Sequence, residues 1–274
     1  MEPTKLFYER ETDYVKYRPS YPADAINAIL EGLGERSQLV AADIGAGTGI
    51  ASRLLAERGV RVIAIEPNTS MRQAADTHPL IEFSDATAEA TKLPNASVDL
   101  LTCFQAFHWF DPAPTLSEFR RILKPSGRLA LVWNHWAADN KFLEEFGCVL
   151  RKAASKDSPK KKVGSGFKPL LSSPHFTNIR RCTFTHSHEL DLPGIIGYAQ
   201  SKYFVPRSGS SYEQLILDLQ ELHTRWADDR GLVRLDFCTT VYLAKPQLYD
   251  FPKFMTRWRS WFLTKWWKLN KATT

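Results

Sequence analysis

The stretch VAADIGAGTGI, Val40 to Ile50, sets three glycines within five residues at the end of a short apolar run. Each glycine raises the entropy lost when the loop orders, so a chain carrying three needs a tight turn, a close ligand, or both. The apolar run reads as a strand over 38–44. A helical pattern over 50–58 follows, with Ile50, Leu54 and Leu55 on one face and Gly59 as its stop. A strand, a glycine turn and a helix N-terminus together form a recognised ligand cradle.

The unit recurs. Further apolar runs at 60–65, 80–83, 98–104 and 128–133 read as strands, separated by helical patterns at 70–75 and 115–123. Their continuous rather than alternating apolar character implies a parallel sheet covered on both faces. Beyond Trp133 the rhythm changes: helices are expected at 141–154, 192–201 and 212–227, a solvated loop at 155–166, and strands at 179–188 and 234–243. Residues 137–230 therefore read as an inserted, mainly helical cap.

Two acids sharpen the ligand. Asp43 directly precedes Gly45-Ala46-Gly47-Thr48-Gly49, a GxGxG spacing rather than the GxGxxG of a dinucleotide fingerprint. A carboxylate there is misplaced for a pyrophosphate and well placed for a cation. Glu66 ends the second strand 23 residues later, where an acid can accept both hydroxyls of a ribose. A cationic nucleoside without phosphates meets both conditions, and S-adenosylmethionine is such a molecule. Asp85 ends the third strand, in reach of an adenine amine. The fourth strand, Val98-Asp99-Leu100-Leu101-Thr102-Cys103-Phe104, ends beside the reacting centre.

DIGAGTG, Glu66, Asp85-Ala86 and VDLLTC, in this order, resemble the class I S-adenosylmethionine-dependent methyltransferases over roughly residues 10–133. The resemblance implies an α/β Rossmann-like, doubly wound sheet of seven strands with the last antiparallel, making residues 1–248 one methyltransferase domain. It also implies that Asp43, Gly45, Ala46, Gly47 and Gly49 hold the methionine and sugar end, Glu66 and Pro67 the ribose, and Asp85 with Ala86 the adenine. Phe104 and Gln105 would flank the sulfonium. YRPSYP and FHWFD look like the branch that includes trans-aconitate methyltransferase and related small-molecule enzymes.

Methyl transfer relies largely on positioning, which is worth about 7–11 kcal/mol in a near-attack geometry. A general base is needed only where the acceptor must lose a proton. His108 in QAFHWFD is the first candidate base and His135 the second, each with wall-lining as its quieter role. Trp109, Trp133, Asn134, Tyr198 and Tyr203 are candidate acceptor-pocket residues. Before the first strand, Arg18 is a candidate partner for the cofactor carboxylate, and Tyr14 and Tyr17 are candidate lids. The acceptor is expected to be a small molecule methylated at oxygen, through a carboxylate or hydroxyl. The rival of another class is a non-catalytic protein that keeps the cofactor fold and binds partners.

Net charge is +6, yet residues 249–274 hold six Lys/Arg against one Asp. The basic character belongs to that segment. Its Phe251, Phe254, Met255, Trp258, Trp261, Phe262, Trp266 and Leu269 follow helical spacing, which suits contact with a membrane surface. That placement would fit a lipid or quinone acceptor; docking on the enzyme and dimer contact are the other readings. The nearly neutral body argues against nucleic acid, and the sequence leaves the oligomeric state open. Four cysteines without CxxC or Cys/His spacing argue against a metal site and for a reducing compartment. The polar N-terminus lacks an export-signal pattern, and no window reaches the roughly 20 apolar residues of a membrane span. The expected location is the cytoplasm, with the membrane surface as an alternative address.

Overall fold

A computed structural model describes residues 10–154 and 166–248. The basic aromatic segment 249–274, most of the expected loop at 155–166 and the side chain of Tyr14 lie outside the described residues. Seven strands form one sheet in the order β3-β2-β1-β4-β5-β7-β6. They are β1 (Val40–Ile44), β2 (Arg61–Ile65), β3 (Ile81–Ser84), β4 (Val98–Phe104), β5 (Leu123–Trp136), β6 (Phe176–Leu190) and β7 (Val233–Pro246). The first five pair in parallel. β7 runs antiparallel to both β5 and β6.

The helices are α1 (Glu11–Tyr17), α2 (Ala23–Leu30), α3 (Ile50–Ala56), α4 (Thr69–Gln73), α5 (Pro112–Ile122), α6 (Lys141–Ala153), α7 (Lys168–Leu171), α8 (Leu192–Gln200) and α9 (Ser210–Trp226). Burial of β1 and β4 on both faces follows from helices on both sides. Ile26, Ile29 and Leu30 of α2, with Leu55 of α3, cover Ala41, Val62, Leu100 and Val132 on one face. Leu116, Phe119 and Ile122 of α5 cover Ala42, Ile44, Leu101 and Leu131 on the other.

α5 begins three residues earlier than its apolar pattern suggests. Pro112 sits in its first turn and the Asp111 side chain caps it through Ala113 N, a start that proline and an acidic cap favour.

The stretch 137–230 is not one helical cap. Its residues 176–190 form β6, the sheet edge, and only the helices around it build a covering layer. Phe104 at the end of β4 pairs with Val132, and β5 continues four residues further to Trp136, alongside Phe237–Thr240 of β7. On this overhang Val233, Leu235 and Phe237 pack with Phe142 and Phe146 of α6, Ile195 and Tyr198 of α8, and Leu215 and Leu219 of α9. The cap thus stands over the carboxyl ends of β1 and β4 because three strands outgrow the others.

Candidate active site

The glycine loop joins β1 to α3, and its three glycines all have positive φ: Gly45 +69°, Gly47 +58°, Gly49 +78°. Gly45 is required twice over, since a Cβ there would lie 2.6 Å from the Ala106 Cβ and 3.0 Å from the Phe110 ring. At Gly47 a Cβ would meet nothing within 4 Å, so the space above the loop is open.

Most N–H groups of the loop are engaged within the protein. Gly45 N and Ala46 N donate to the Ile65 carbonyl at 2.8 and 3.1 Å, and Gly49 N to Ala46 O at 2.9 Å. Gly47 N donates to Glu66 Oε2 at 2.8 Å. The loop therefore meets a ligand by shape and by charge more than by amide donors.

The charge is Asp43, 1% exposed. Its carboxylate accepts from Ser52 Oγ at 2.7 Å and Thr102 Oγ1 at 2.8 Å. Burial nevertheless dominates these bonds and pushes its pKa up to about 6, because the anion has lost water and gained no cation. Glu66, also buried, accepts from Gly47 N and, at 2.9 Å, from Asn68 N. Its pKa is likewise raised by burial, with those two amide bonds opposing the rise. A carboxylate offers about four lone-pair sites, so Glu66 keeps acceptor capacity for a ribose. A buried, cation-starved acid beside an open loop fits S-adenosylmethionine, whose sulfonium and ammonium are positive.

Asp43, Gly45 and Ala46 form one side of a cavity of about 600 Å³, and Phe104, Gln105, His108 and Trp109 at the end of β4 continue its wall. Trp133, Asn134 and His135 on the β5 overhang close a second side, and Arg18, Tyr198 and Tyr203 a third. Gly47, Gly49, Glu66, Pro67, Asp85 and Ala86 do not line this cavity. They follow the neighbouring ends of β1, β2 and β3, where Ile44 pairs with Ile65 and Ile65 with Ser84. The expected transfer end is thus walled on three sides, and the expected ribose and adenine end is a separate run of strand termini. Asp85 there is 68% exposed and lies 3.4 Å from Arg72, while Ala86 is buried.

Several expected roles change. Tyr17 does not line the cavity: its ring lies against Gly197, where a Cβ would come within 2.1 Å, so it docks α1 onto α8 through a gap only glycine leaves. Asn134 faces the cavity with its amide committed, Nδ2 donating to Ser20 O at 3.1 Å and Oδ1 accepting from Thr239 Oγ1 at 2.6 Å. It holds the turn before α2 in place. Gln105 adopts φ +55°, a strained conformation for a non-glycine residue, and its Nε2 donates to Asn134 O at 2.9 Å.

His108 Nδ1 accepts from Trp133 Nε1 at 3.4 Å. An indole N–H only donates, so the neutral His108 ring carries its hydrogen on Nε2. His135 stands exposed at the rim, paired through β7 with Cys238. Arg18 donates from Nη2 to Ser201 O at 3.0 Å, which ties it to the cap.

Tyr198 stacks on Phe146 with ring centroids 5.9 Å apart and accepts from Trp136 Nε1 at 3.1 Å. Trp109 meets Tyr203 edge-on at 5.4 Å. Sequence reading missed Lys202, Tyr21 and Phe237 as cavity residues. The only signal for Lys202 was its position just after an apolar helix, beside two aromatics. Among the described residues no cluster suits a metal ion and no helix is long and apolar enough to cross a membrane.

Residues 42–131 match a family model described as a methyltransferase domain. An uncharacterized methyltransferase of Mycobacterium tuberculosis, Rv3342, is 31% identical over 224 residues, 80% of this chain and 87% of that protein. A candidate type II methyltransferase from Anaeromyxobacter dehalogenans shares the fold at TM-score 0.64 and 24% identity, over 84% of this chain and 98% of that one. A phosphoethanolamine N-methyltransferase of Haemonchus contortus, solved with S-adenosylhomocysteine, shares it at TM-score 0.51 and 16% identity, over 89% and 58%. Sequence kinship across most of the chain, the strand order and the acid-bearing glycine loop agree: this chain belongs to the class I S-adenosylmethionine-dependent methyltransferases, with S-adenosylmethionine as its cofactor.

Proposed function

We propose that the enzyme methylates a small acceptor at oxygen, with a carboxylate-bearing molecule as the acceptor class. One observation carries this reading: Asp43 is the sole acid among the described residues lining the cavity, while Arg18 and Lys202 stand among its aromatic, aliphatic and amide-bearing walls. An ammonium acceptor would find no second carboxylate there. A carboxylate would find Arg18 and Lys202, and it needs no general base.

The cofactor supplies an electrophilic methyl group. Asp43 would meet its positive end, Glu66 its ribose, and Asp85 with Ala86 its adenine. Arg18, Phe104 and Gln105 would border the transfer end, while Trp109, Trp133, Tyr198 and Tyr203 would exclude water and orient the acceptor. The YRPSYP and FHWFD segments, which resemble the trans-aconitate methyltransferase branch, support a small molecule rather than a macromolecule.

The test is transfer of labelled methyl from S-adenosylmethionine to matched sets of carboxylic acids, phenols, amines and lipids. Base-labile methyl esters are the expected products. Methylated amines without esters would overturn the reading, and turnover confined to lipids would favour the membrane-surface alternative.

A further inference from the structure

Lys202 follows α8 by two residues and lies half-buried in the cavity wall. Its Nζ is 4.2 Å from the centroid of the Tyr198 ring and 5.0 Å from that of Trp136. The Arg18 guanidinium carbon lies 6.0 Å from the same Tyr198 centroid. Two cations therefore address one ring on the cap side, while the cavity's acid, Asp43, sits at the glycine loop.

This arrangement is held in place. Tyr198 is 3% exposed, pinned by Phe146 and by the Trp136 indole. Arg18 binds the Ser201 carbonyl, and buried Arg10 reaches the carbonyls of Gln200 and, at 2.7 Å, Val205. The carbonyls on both sides of Lys202 are thus fixed, and its ammonium emerges over aromatic faces. An ammonium set at the edge of aromatic faces in a cavity wall is placed to meet an anion that enters the cavity.

We infer that Lys202 is the acceptor-recognition residue, forming with Arg18 a cationic wall that holds the carboxylate of an aromatic or other apolar acid against Tyr198 and Trp136. The inference deepens the oxygen-methylation reading and rests on it for the identity of the methylated atom, though not for the binding itself.

The test measures binding to the S-adenosylhomocysteine-loaded enzyme by calorimetry, using benzoate, phenylacetate and hexanoate, each against its amide. The wild type should favour the acid of at least one pair by about tenfold or more, the scale of a charged hydrogen bond. Lys202→Met should remove that preference with S-adenosylhomocysteine affinity unchanged, and Lys202→Arg should retain part of it. Acids that bind no better than amides, or a preference that survives Lys202→Met, would overturn the assignment. A loss of S-adenosylhomocysteine affinity instead would give Lys202 to the cofactor and overturn it equally. Acids that bind through Lys202 yet are never methylated would sink oxygen methylation while leaving Lys202 in its role.

Discussion

Arg18 Nη2 lies 3.0 Å from the Ser201 carbonyl, joining the turn before α2 to the end of α8 across 183 residues of chain. With Arg10 it places two guanidinium groups at the carboxyl end of a helix, where carbonyls lack intrahelical partners and the dipole favours cations. The cap is therefore fastened to the N-terminal segment as well as to the β5–β7 overhang.

Removing Arg10 should loosen that fastening. Arg10→Ala strips two carbonyl acceptors of a buried charged donor and should lower unfolding free energy by roughly 1–3 kcal/mol. Urea denaturation reads it directly, and an unchanged midpoint would mean the N-terminal segment does not brace the cap.

Asp43→Asn should separate stability from function. A pKa raised to about 6 means the folded state binds a proton more tightly than the unfolded chain. Its stabilising contribution is complete below about pH 4 and lost as pH rises through about 6. The buried anion then costs roughly 3 kcal/mol at neutral pH, and an amide avoids it while keeping partners in Ser52 and Thr102. The cofactor-free variant should melt several degrees higher at pH 7.5 and no higher at pH 4, with S-adenosylmethionine affinity falling about tenfold or more. A variant that gains neither stability nor weaker binding would remove Asp43 from both roles.

Cofactor binding should release protons near pH 6. A cation beside Asp43 favours its ionised form, so affinity should rise with pH up to about 6 and level off above it. Calorimetry at acid pH in buffers of different ionisation heat should show the release, and buffer-independent heats would contradict it.

Glu66→Gln should weaken both loop and site. One carboxylate oxygen becomes an NH₂ group facing a backbone N–H, either of Gly47 or of Asn68, so two donors oppose each other. S-adenosylmethionine affinity should fall by about 1–3 kcal/mol in an equilibrium titration. Wild-type affinity would free Glu66 from the ribose.

Gly45→Ala and Gly47→Ala should behave differently. The first meets Ala106 and Phe110 and should cost about 1–3 kcal/mol of stability through overpacking on top of its backbone strain. The second meets only open space and carries backbone strain alone, so it should destabilise the fold less than the first while weakening cofactor binding. Thermal melts with and without S-adenosylhomocysteine compare them, and equal apo stabilities would refute the packing account.

All seven strands read from periodicity overlap the observed ones, because each carries its own burial pattern. β1, β2 and β4 are mostly apolar, through Val40–Ala42, Val62–Ile65 and Leu100–Leu101, and helices pack on both faces of the sheet there. β5, β6 and β7 run longer than their apolar patterns because polar residues continue the ladder: Thr239 of β7 donates to Asn134 Oδ1 of β5 at 2.6 Å and lies 3.4 Å from His186 Nδ1 of β6. That overhang is also why 137–230 could read as a single cap when its middle belongs to the sheet.

From residues alone came the glycine loop, the acids at successive strand ends and hence the class of cofactor, since these are local features whose spacing already encodes the chemistry. The cavity had to wait for the tertiary structure. Arg18, Asn134 and the neighbouring pair Tyr198 and Lys202 are separated by long stretches of chain, and only the packing of α1 and α8 around the overhanging strands brings them together. Which of them faces a ligand and which is committed to a carbonyl depends on partners far away in sequence, and no local pattern records such partners.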